Sequence, residues 1–298
     1  MEYSLHFVLA LLGAAGCAGF FGALLGVGGG VFIVPVMVLM FKLPMKVAVA
    51  ASIVSVIATS NAGGSSYVDQ RITNLKLAMF LEIATTIGAL SGALLAIYLQ
   101  QWIMLIIFAI MLAVMSYAAY STRNIDDQKI ASGEFASAKQ DRISRYLELK
   151  GSYHDVAAGS DVEYVVNGSA IGAAISYLAG MASGLLGVGG GVLKVSAMNG
   201  YMNVPMKVAV GTSKLMIGVT AAVSSILFFL AGLIHFSVVA PVALGTTIGA
   251  TIGTMVMNRL HSSKLKWIFT ILMAYLAYGM LAKGIGMRFG IHLPSLGA

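Results

Sequence analysis

The feature that most constrains this chain is that it is written twice. Leu25-Gly26-Val27-Gly28-Gly29-Gly30-Val31 returns letter for letter as Leu186-Gly187-Val188-Gly189-Gly190-Gly191-Val192, 161 positions later. The match continues without a gap. Pro44-Met45-Lys46-Val47-Ala48-Val49 returns as Pro205-Met206-Lys207-Val208-Ala209-Val210, Ser52 as Ser213, Thr59 as Thr220, and Thr85-Thr86-Ile87-Gly88-Ala89 as Thr246-Thr247-Ile248-Gly249-Ala250. The register then slips by four, and Trp102 answers to Trp267. A repeat of this length is a duplication, so the fold must be two copies of one unit packed on each other.

The medium of that packing follows from composition. Of 298 residues, 59% are hydrophobic, 10% are charged, and the mean hydropathy is +0.91. A soluble chain carries about 25% charged residues. The apolar residues fall in long runs rather than in a helical stripe, which is the pattern of membrane spans. The 35 glycines agree, because small residues let membrane helices approach closely. A net charge of +7 fits orientation in the bilayer and lipid contact, or a field favouring anions. Nucleic-acid binding is not expected, since Lys and Arg do not cluster with aromatics. The single cysteine, Cys17, excludes an internal disulfide and reads as a packing residue in an apolar run.

In the first unit, residues 5–26, 31–41, 45–67, 75–99 and 102–120 are apolar segments; in the second they are 166–186, 192–201, 206–231, 236–259 and 266–283. The second segment of each unit is short. Eleven helical residues rise about 16 Å, roughly half of a bilayer core of about 30 Å. Each short segment follows a glycine cluster, so each reads as a Gly-broken half-helix near the midplane. The domain plan is a membrane repeat at 5–120, a linker at 121–165 and a second membrane repeat at 166–285. The linker holds eight of the eleven acidic residues. Alternation in Arg145–Lys150 and Val162–Val166, with a Gly-Ser turn after the first run, predicts a small β-hairpin there.

Charge bias sets the orientation. In the first unit the loop after the third segment carries Arg71 and Lys76, and the turn before the fifth carries no charge. The second unit reverses this, with Arg259, Lys264 and Lys266 before the fifth segment and no Lys or Arg at Gly232–Phe236. Positive loops favour the cytoplasm. Opposite bias at equivalent places means opposite orientation, hence an odd number of crossings per unit, counted as five. The expected fold is an all-α polytopic membrane protein of two inverted repeats of about five segments each, with a cytoplasmic central loop bearing the hairpin. A parallel four-plus-four arrangement with re-entrant short segments is the alternative.

Inverted repeats with interrupted helices are a transporter design, with substrate bound where broken helices meet. A broken helix exposes its first N–H groups, and its dipole places about half a positive charge there. Glycine lets a ligand reach those groups without interference from a Cβ. Gly28, Gly29 and Gly30 with Gly189, Gly190 and Gly191 could thus hold a small anion between two helix N-termini. A dinucleotide fingerprint does not fit, since no acidic residue lies about twenty positions on. Three charges lie well inside the spans: Lys194, Lys214 and Glu82. The counterparts of the lysines are Ile33 and Ile53. A buried ammonium needs an anion, a carboxylate or water. Lys194 and Lys214 are therefore expected to face the substrate, with Ser52, Thr212 and Ser213 as hydroxyl donors. Glu82 is expected to pair with a lysine or carry a coupling proton.

The doubled Gly-x-Gly-Gly-Gly cluster, the Pro-Met-Lys-x-Ala-x-x-x-Ser stretch and the spans around a charged central loop resemble the TauE/SafE family of membrane transporters, the sulfite exporters, over about residues 8–285. The resemblance implies secondary transport of a small sulfur-containing or organic anion (sulfite, a sulfonate or a sulfoacetate-like compound) across a prokaryotic inner membrane. No cofactor and no metal are expected, and no enzymatic activity. The partners are the small anion, the lipid bilayer and a coupling ion, with the proton as the candidate. The alternatives are a membrane-embedded enzyme or assembly factor, or an anion channel. The five histidines, scattered at ends and loops, offer no metal spacing for the enzyme.

Overall fold

The computed structural model describes residues 4–24, 29–69, 72–121, 135, 140–155, 160–257 and 262–290. The first unit comprises α1 (Leu5–Leu24), α2 (Gly30–Leu39), α3 (Met45–Asp69), α4 (Leu75–Tyr98) and α5 (Gln101–Ser121). A short helix α6 (Arg142–Tyr146) and two strands, β1 (Lys150–Asp155) and β2 (Ser160–Val165), follow. The second unit comprises α7 (Ser169–Leu186), α8 (Gly191–Tyr201), α9 (Met206–Leu230), α10 (Phe236–Met257) and α11 (Ser262–Phe289). Both units have the five segments expected, including the short second one.

Among the described residues, six helices are long and apolar enough to cross a membrane, and the chain is a multi-pass membrane protein. Helix α4 shows why. Met79, Ile83, Ile87, Leu90, Leu94 and Tyr98 line its exposed face, while Leu77, Leu81, Thr85, Gly88 and Gly92 are buried. Helical spacing thus turns an apolar stripe outward, where water would penalise it and lipid would not. Cys17 departs from its expected packing role: it is exposed on α1, on the outer side of the bundle.

Each unit hands its helices to the other. Helix α1 packs on α10, and its counterpart α7 packs on α4, so the first and fourth segments exchange partners reciprocally. The register is conserved residue for residue. A Cβ on Gly88 would strike the carbonyl of Tyr177, and one on its counterpart Gly249 would strike that of Gly16, the counterpart of Tyr177. Gly92 against Met181 and Gly253 against Phe20 repeat the match. Spaced four apart, these glycines form the notched faces that let membrane helices touch at the backbone. Helices α3 with α9, and α5 with α11, pair as equivalents.

In each unit the first two helices double back. The rings of Phe7 and Phe41 meet at 5.4 Å, joining the start of α1 to the end of α2. At the equivalent place the Asn167 N–H donates to the Met202 carbonyl at 3.1 Å. Both short helices end alike, on a left-handed residue, Lys42 or Asn203 (φ 53 and 57). The ammonium of Lys46, at the start of α3, donates to the carbonyl of Ile97 in the last turn of α4. The other end of α4 meets α9, where the Asn74 N–H donates to Thr212 Oγ1 at 3.1 Å. The first half of α3 and the first half of its counterpart α9 therefore lie at opposite ends of α4.

The hairpin is present, with strands offset from the sequence reading. Residues 142–146 form α6, and Gly151 and Ser152 lie within β1, paired with Tyr164 and Glu163, rather than in a turn. Glycine suits position 151 because a Cβ there would lie 2.5 Å from Tyr164 Oη. Residues 156–159, between the strands, lie outside the described residues. Leu149, Tyr153, Val162 and Tyr164 pack on Leu77, Met198, Met202 and Val208, seating the hairpin on the ends of α4, α8 and α9. Asn74 caps α4 through Leu77 N–H (3.0 Å) and donates to Tyr164 Oη (2.8 Å). Asn203 donates to the carbonyl of Val165 at 3.1 Å.

Candidate functional site

The site is built on the interruptions between α1 and α2 and between α7 and α8. Gly187, Gly189 and Gly190 adopt φ of 71, 79 and 65, a region open to glycine at little cost. The chain can therefore leave α7 and open α8 within four residues. Neither Gly29 before α2 nor Gly190 before α8 supplies a side-chain cap, and both are buried. Two buried helix N-termini thus keep backbone N–H groups uncapped by side chains. Gly28 lies outside the described residues.

The two clusters meet at the α3–α9 contact. A Cβ on Gly30 would lie 2.9 Å from Ser52 Oγ, and would also strike the Gly187 carbonyl. Gly189 sits between Val56 of α3 and Ile217 of α9, which are repeat equivalents; a Cβ there would approach them to 3.3 and 3.0 Å. A Cβ on Gly191 would meet Ile217 at 2.7 Å, just as Gly30 meets Val56 at 3.1 Å. The centre of the bundle is therefore a point where both units present glycine backbone to each other.

The expected hydroxyls brace this centre. Ser52 Oγ donates to the Gly187 carbonyl at 2.7 Å, tying α3 to the opposite cluster. Ser213 Oγ donates to the Gly191 carbonyl at 3.3 Å. Thr212 lies toward the hairpin end and accepts the Asn74 N–H.

The intramembrane charges fall into two places. Lys194, one turn into α8, is completely buried, and its ammonium donates to Thr220 Oγ1 at 3.0 Å. The same Oγ1 stands 2.8 Å from Glu82 Oε1, as donor to the carboxylate. Thr86, one turn along α4, adds a bond to Oε1 at 3.3 Å. The cluster joins α4, α8 and α9 across the two units. Lys214 is half-buried on α9, six residues before Thr220 and so about 120° round the helix from it. Lys214 thus stands on a different face of α9 from Thr220, the residue that meets Lys194.

Thr220 and Thr86 were not singled out from the sequence as site residues. A signal existed: Ser213, Ile217 and Thr220 follow i, i+4, i+7 spacing and share one face of α9. What the sequence lacks is the crossing of α4 over α9 that brings Glu82 to that face.

A sequence profile described as "Sulfite exporter TauE/SafE" matches residues 11–280. The chain belongs to the TauE/SafE family. It is similar to a "Probable membrane transporter protein YunE" of Bacillus subtilis (strain 168), 24% identical over 290 residues that cover 93% of this chain and 98% of the relative. A "Probable membrane transporter protein" of Xylella fastidiosa (strain 9a5c) is 21% identical over 258 residues, covering 86% of this chain and 87% of the relative. No solved structure matches significantly. The TauE/SafE match spans both glycine clusters, Glu82, Lys194 and Thr220, so the whole candidate site lies within the family's common region.

Proposed function

We propose that this chain is a secondary transporter, not an enzyme, that carries a small sulfur-containing or organic anion across the prokaryotic inner membrane. The observation that carries this reading is the fully buried Lys194, one turn into α8 from that helix's uncapped, glycine-built start. An ammonium in the first turn of a buried helix, with a second glycine-built helix start packed on the same glycine cluster at Gly187, favours an anion over a neutral or cationic solute. The Gly29, Gly30 and Gly189–Gly191 backbones, Lys194, Ser52 and Ser213 form the site; Thr212 and Lys214 line its approaches. Glu82 is the carboxylate placed to carry a coupling proton.

The two units are read as an inverted pair across the membrane, with the central hairpin on the cytoplasmic side. The reciprocal α1–α10 and α7–α4 packing supports that reading, as do the contacts of α3 and α9 at opposite ends of α4. The doubled-back α1–α2 and α7–α8 pairs are then the elements whose alternate opening exposes the anion to either side.

Thermal stabilisation of the detergent-purified protein by sulfite, thiosulfate, sulfoacetate, taurine, acetate and chloride tests this. A ligand that binds only the folded state raises the melting temperature with concentration. One class of sulfur oxyanion should stabilise the protein, and Lys194→Met should weaken that binding by about 2–5 kcal/mol, at least about thirtyfold. Undiminished stabilisation of Lys194→Met would remove the lysine from the site.

A further inference from the structure

We propose that the transported anion and the Glu82 carboxylate are alternative counter-ions of Lys194, so that each anion enters its site together with one proton taken up on Glu82. This rests on the anion-transporter reading above and specifies how that site is regulated.

The geometry of three side chains carries the inference. Glu82 Oε1 receives Thr220 at 2.8 Å and Thr86 at 3.3 Å, while Oε2 is buried with no hydrogen-bond partner among the described residues. A carboxylate oxygen so placed is a seat for a proton. Thr220 Oγ1 has one proton and two acceptors at 2.8 Å, Glu82 Oε1 and the carbonyl of Met216. While Glu82 is ionised, the hydroxyl turns to the carboxylate; when Glu82 is neutral, it turns to Met216. Lys194 donates to the same oxygen at 3.0 Å, so a single hydroxyl separates the ammonium from the carboxylate that balances it.

The charge bookkeeping closes. In the resting site, Glu82 and Lys194 sum to zero. A proton from solvent hydronium adds to Oε2: the hydronium O–H bond breaks and leaves water, one O–H bond forms on Glu82, and Lys194 keeps its own protons. The buried ammonium is then without a counter-charge, a state strongly disfavoured in a low-dielectric interior. A monoanion arriving beside Lys194 restores a net charge of zero. Proton and anion therefore bind together and leave together, and transport of a monoanion is electrically silent.

The packed elements carry other ionisable groups. Helix α9 carries Lys207 and half-buried Lys214, and α7 carries Tyr177, whose hydroxyl lies 3.3 Å from Ser91 Oγ, more than two turns along α4 from Glu82. Lys76, at the start of α4, pairs with Glu148. Lys194 is the charged group tied to Glu82 through Thr220 Oγ1.

The test is the pH dependence of anion binding to the full chain in detergent, read by thermal stabilisation. The probes are methanesulfonate and isethionate, sulfonate monoanions that stay ionised at neutral pH and above, and sulfite, whose own titration is removed by comparison with Glu82→Gln. In the wild type, the dissociation constant should rise about tenfold per pH unit over the range in which Glu82 ionises, as linkage to one proton requires. Glu82→Gln, which mimics the neutral acid, should bind with no such slope. If that variant does not fold, the wild-type slope with the sulfonates decides alone. Binding without a pH slope and without proton uptake by a pH-indicator dye overturns this inference and leaves the transporter reading standing. No binding by any probe at any pH overturns the reading beneath it.

Discussion

At the contact of α4 with α9, Glu82, Thr220 and Lys194 form a connected polar cluster; the equivalent contact of α10 with α3 has Ala243, Thr59 and Ile33 at the same places. The backbones correspond, but the chemistry does not. Among the described residues Thr59 bonds only its own helix, at the carbonyls of Ser55 (3.1 Å) and Val56 (3.2 Å), where Thr220 also reaches across to Glu82. Thr247 donates to the Ala243 carbonyl at 2.7 Å, whereas Thr86 turns to the Glu82 side chain. Ile33 is buried as completely as Lys194. The duplication thus supplies a symmetric scaffold, and one of its two equivalent places carries the charges. A buried ammonium cannot stand alone, so Lys194 and Glu82 have to be present together.

The comparison is broken most severely by copying one charge without its partner. Ile33→Lys should cost several kcal/mol and abolish recovery of folded protein, since Ala243 stands where the equivalent Glu82 would supply a counter-charge. Adding Ala243→Glu should restore part of the melting temperature measured in detergent. Next in size is Glu82→Ala, which strands Lys194. It should cost about 3–5 kcal/mol, more than Lys194→Met, and the double substitution should cost less than the sum of the two. Gly88→Ala and Gly249→Ala sharpen the symmetric side of the comparison. Each drives a methyl into a facing backbone carbonyl and should cost about 1–3 kcal/mol, the two matching because their surroundings match.

A smaller effect concerns the hairpin, which is seated on the ends of α4, α8 and α9. Tyr164→Phe removes the bond from Asn74 and should destabilise the hairpin's seat by about 1 kcal/mol, read by hydrogen exchange of β1 and β2. Burial, partly opposed by the Asn74 bond, pushes the Tyr164 hydroxyl up to about 12 from an ordinary value of 10.0. Because the value is raised, the protonated form's contribution is intact below pH 10.0 and is lost as pH climbs through about 12. Tyrosinate absorbance, compared with Tyr164→Phe, should show one late-titrating ring. The smallest effect is at the exposed Lys76–Glu148 pair (3.1 Å), whose hydrogen bond and charge hold Glu148 below its ordinary value. Its contribution is present above the ordinary carboxylate range and is lost as pH falls through the lowered value. Added salt should screen it away.

The helices were legible in the sequence because lipid makes apolar runs and glycine breaks nearly sufficient as signals. Ranges such as 75–99 and 206–231 agree with α4 and α9 to within a residue. The doubled glycine cluster also marked where the units meet. The hairpin's existence was legible and its register was not. Alternation in Arg145–Lys150 is shared by a helical turn followed by a strand start, and Gly151 looks like a turn residue until Tyr164 is seen beside it. The site was legible as separate charges. Lys194 and Glu82 stood out because charges inside spans are rare, but their connection through Thr220 depends on which faces of α4, α8 and α9 cross. That information lies in the packing of both units together, and no single segment holds it.

The most direct measurement compares transport by mirrored variants. Proteoliposomes containing wild type, Lys194→Met or Ile33→Met would be assayed for uptake of the sulfur oxyanion that stabilises the protein. Both changes place methionine at one of two equivalent buried positions, and Ile33→Met nearly conserves volume. The account predicts that Lys194→Met abolishes uptake while Ile33→Met retains it. Uptake by both variants, or equal loss in both, would contradict the assignment of the anion to the Lys194 side of the repeat.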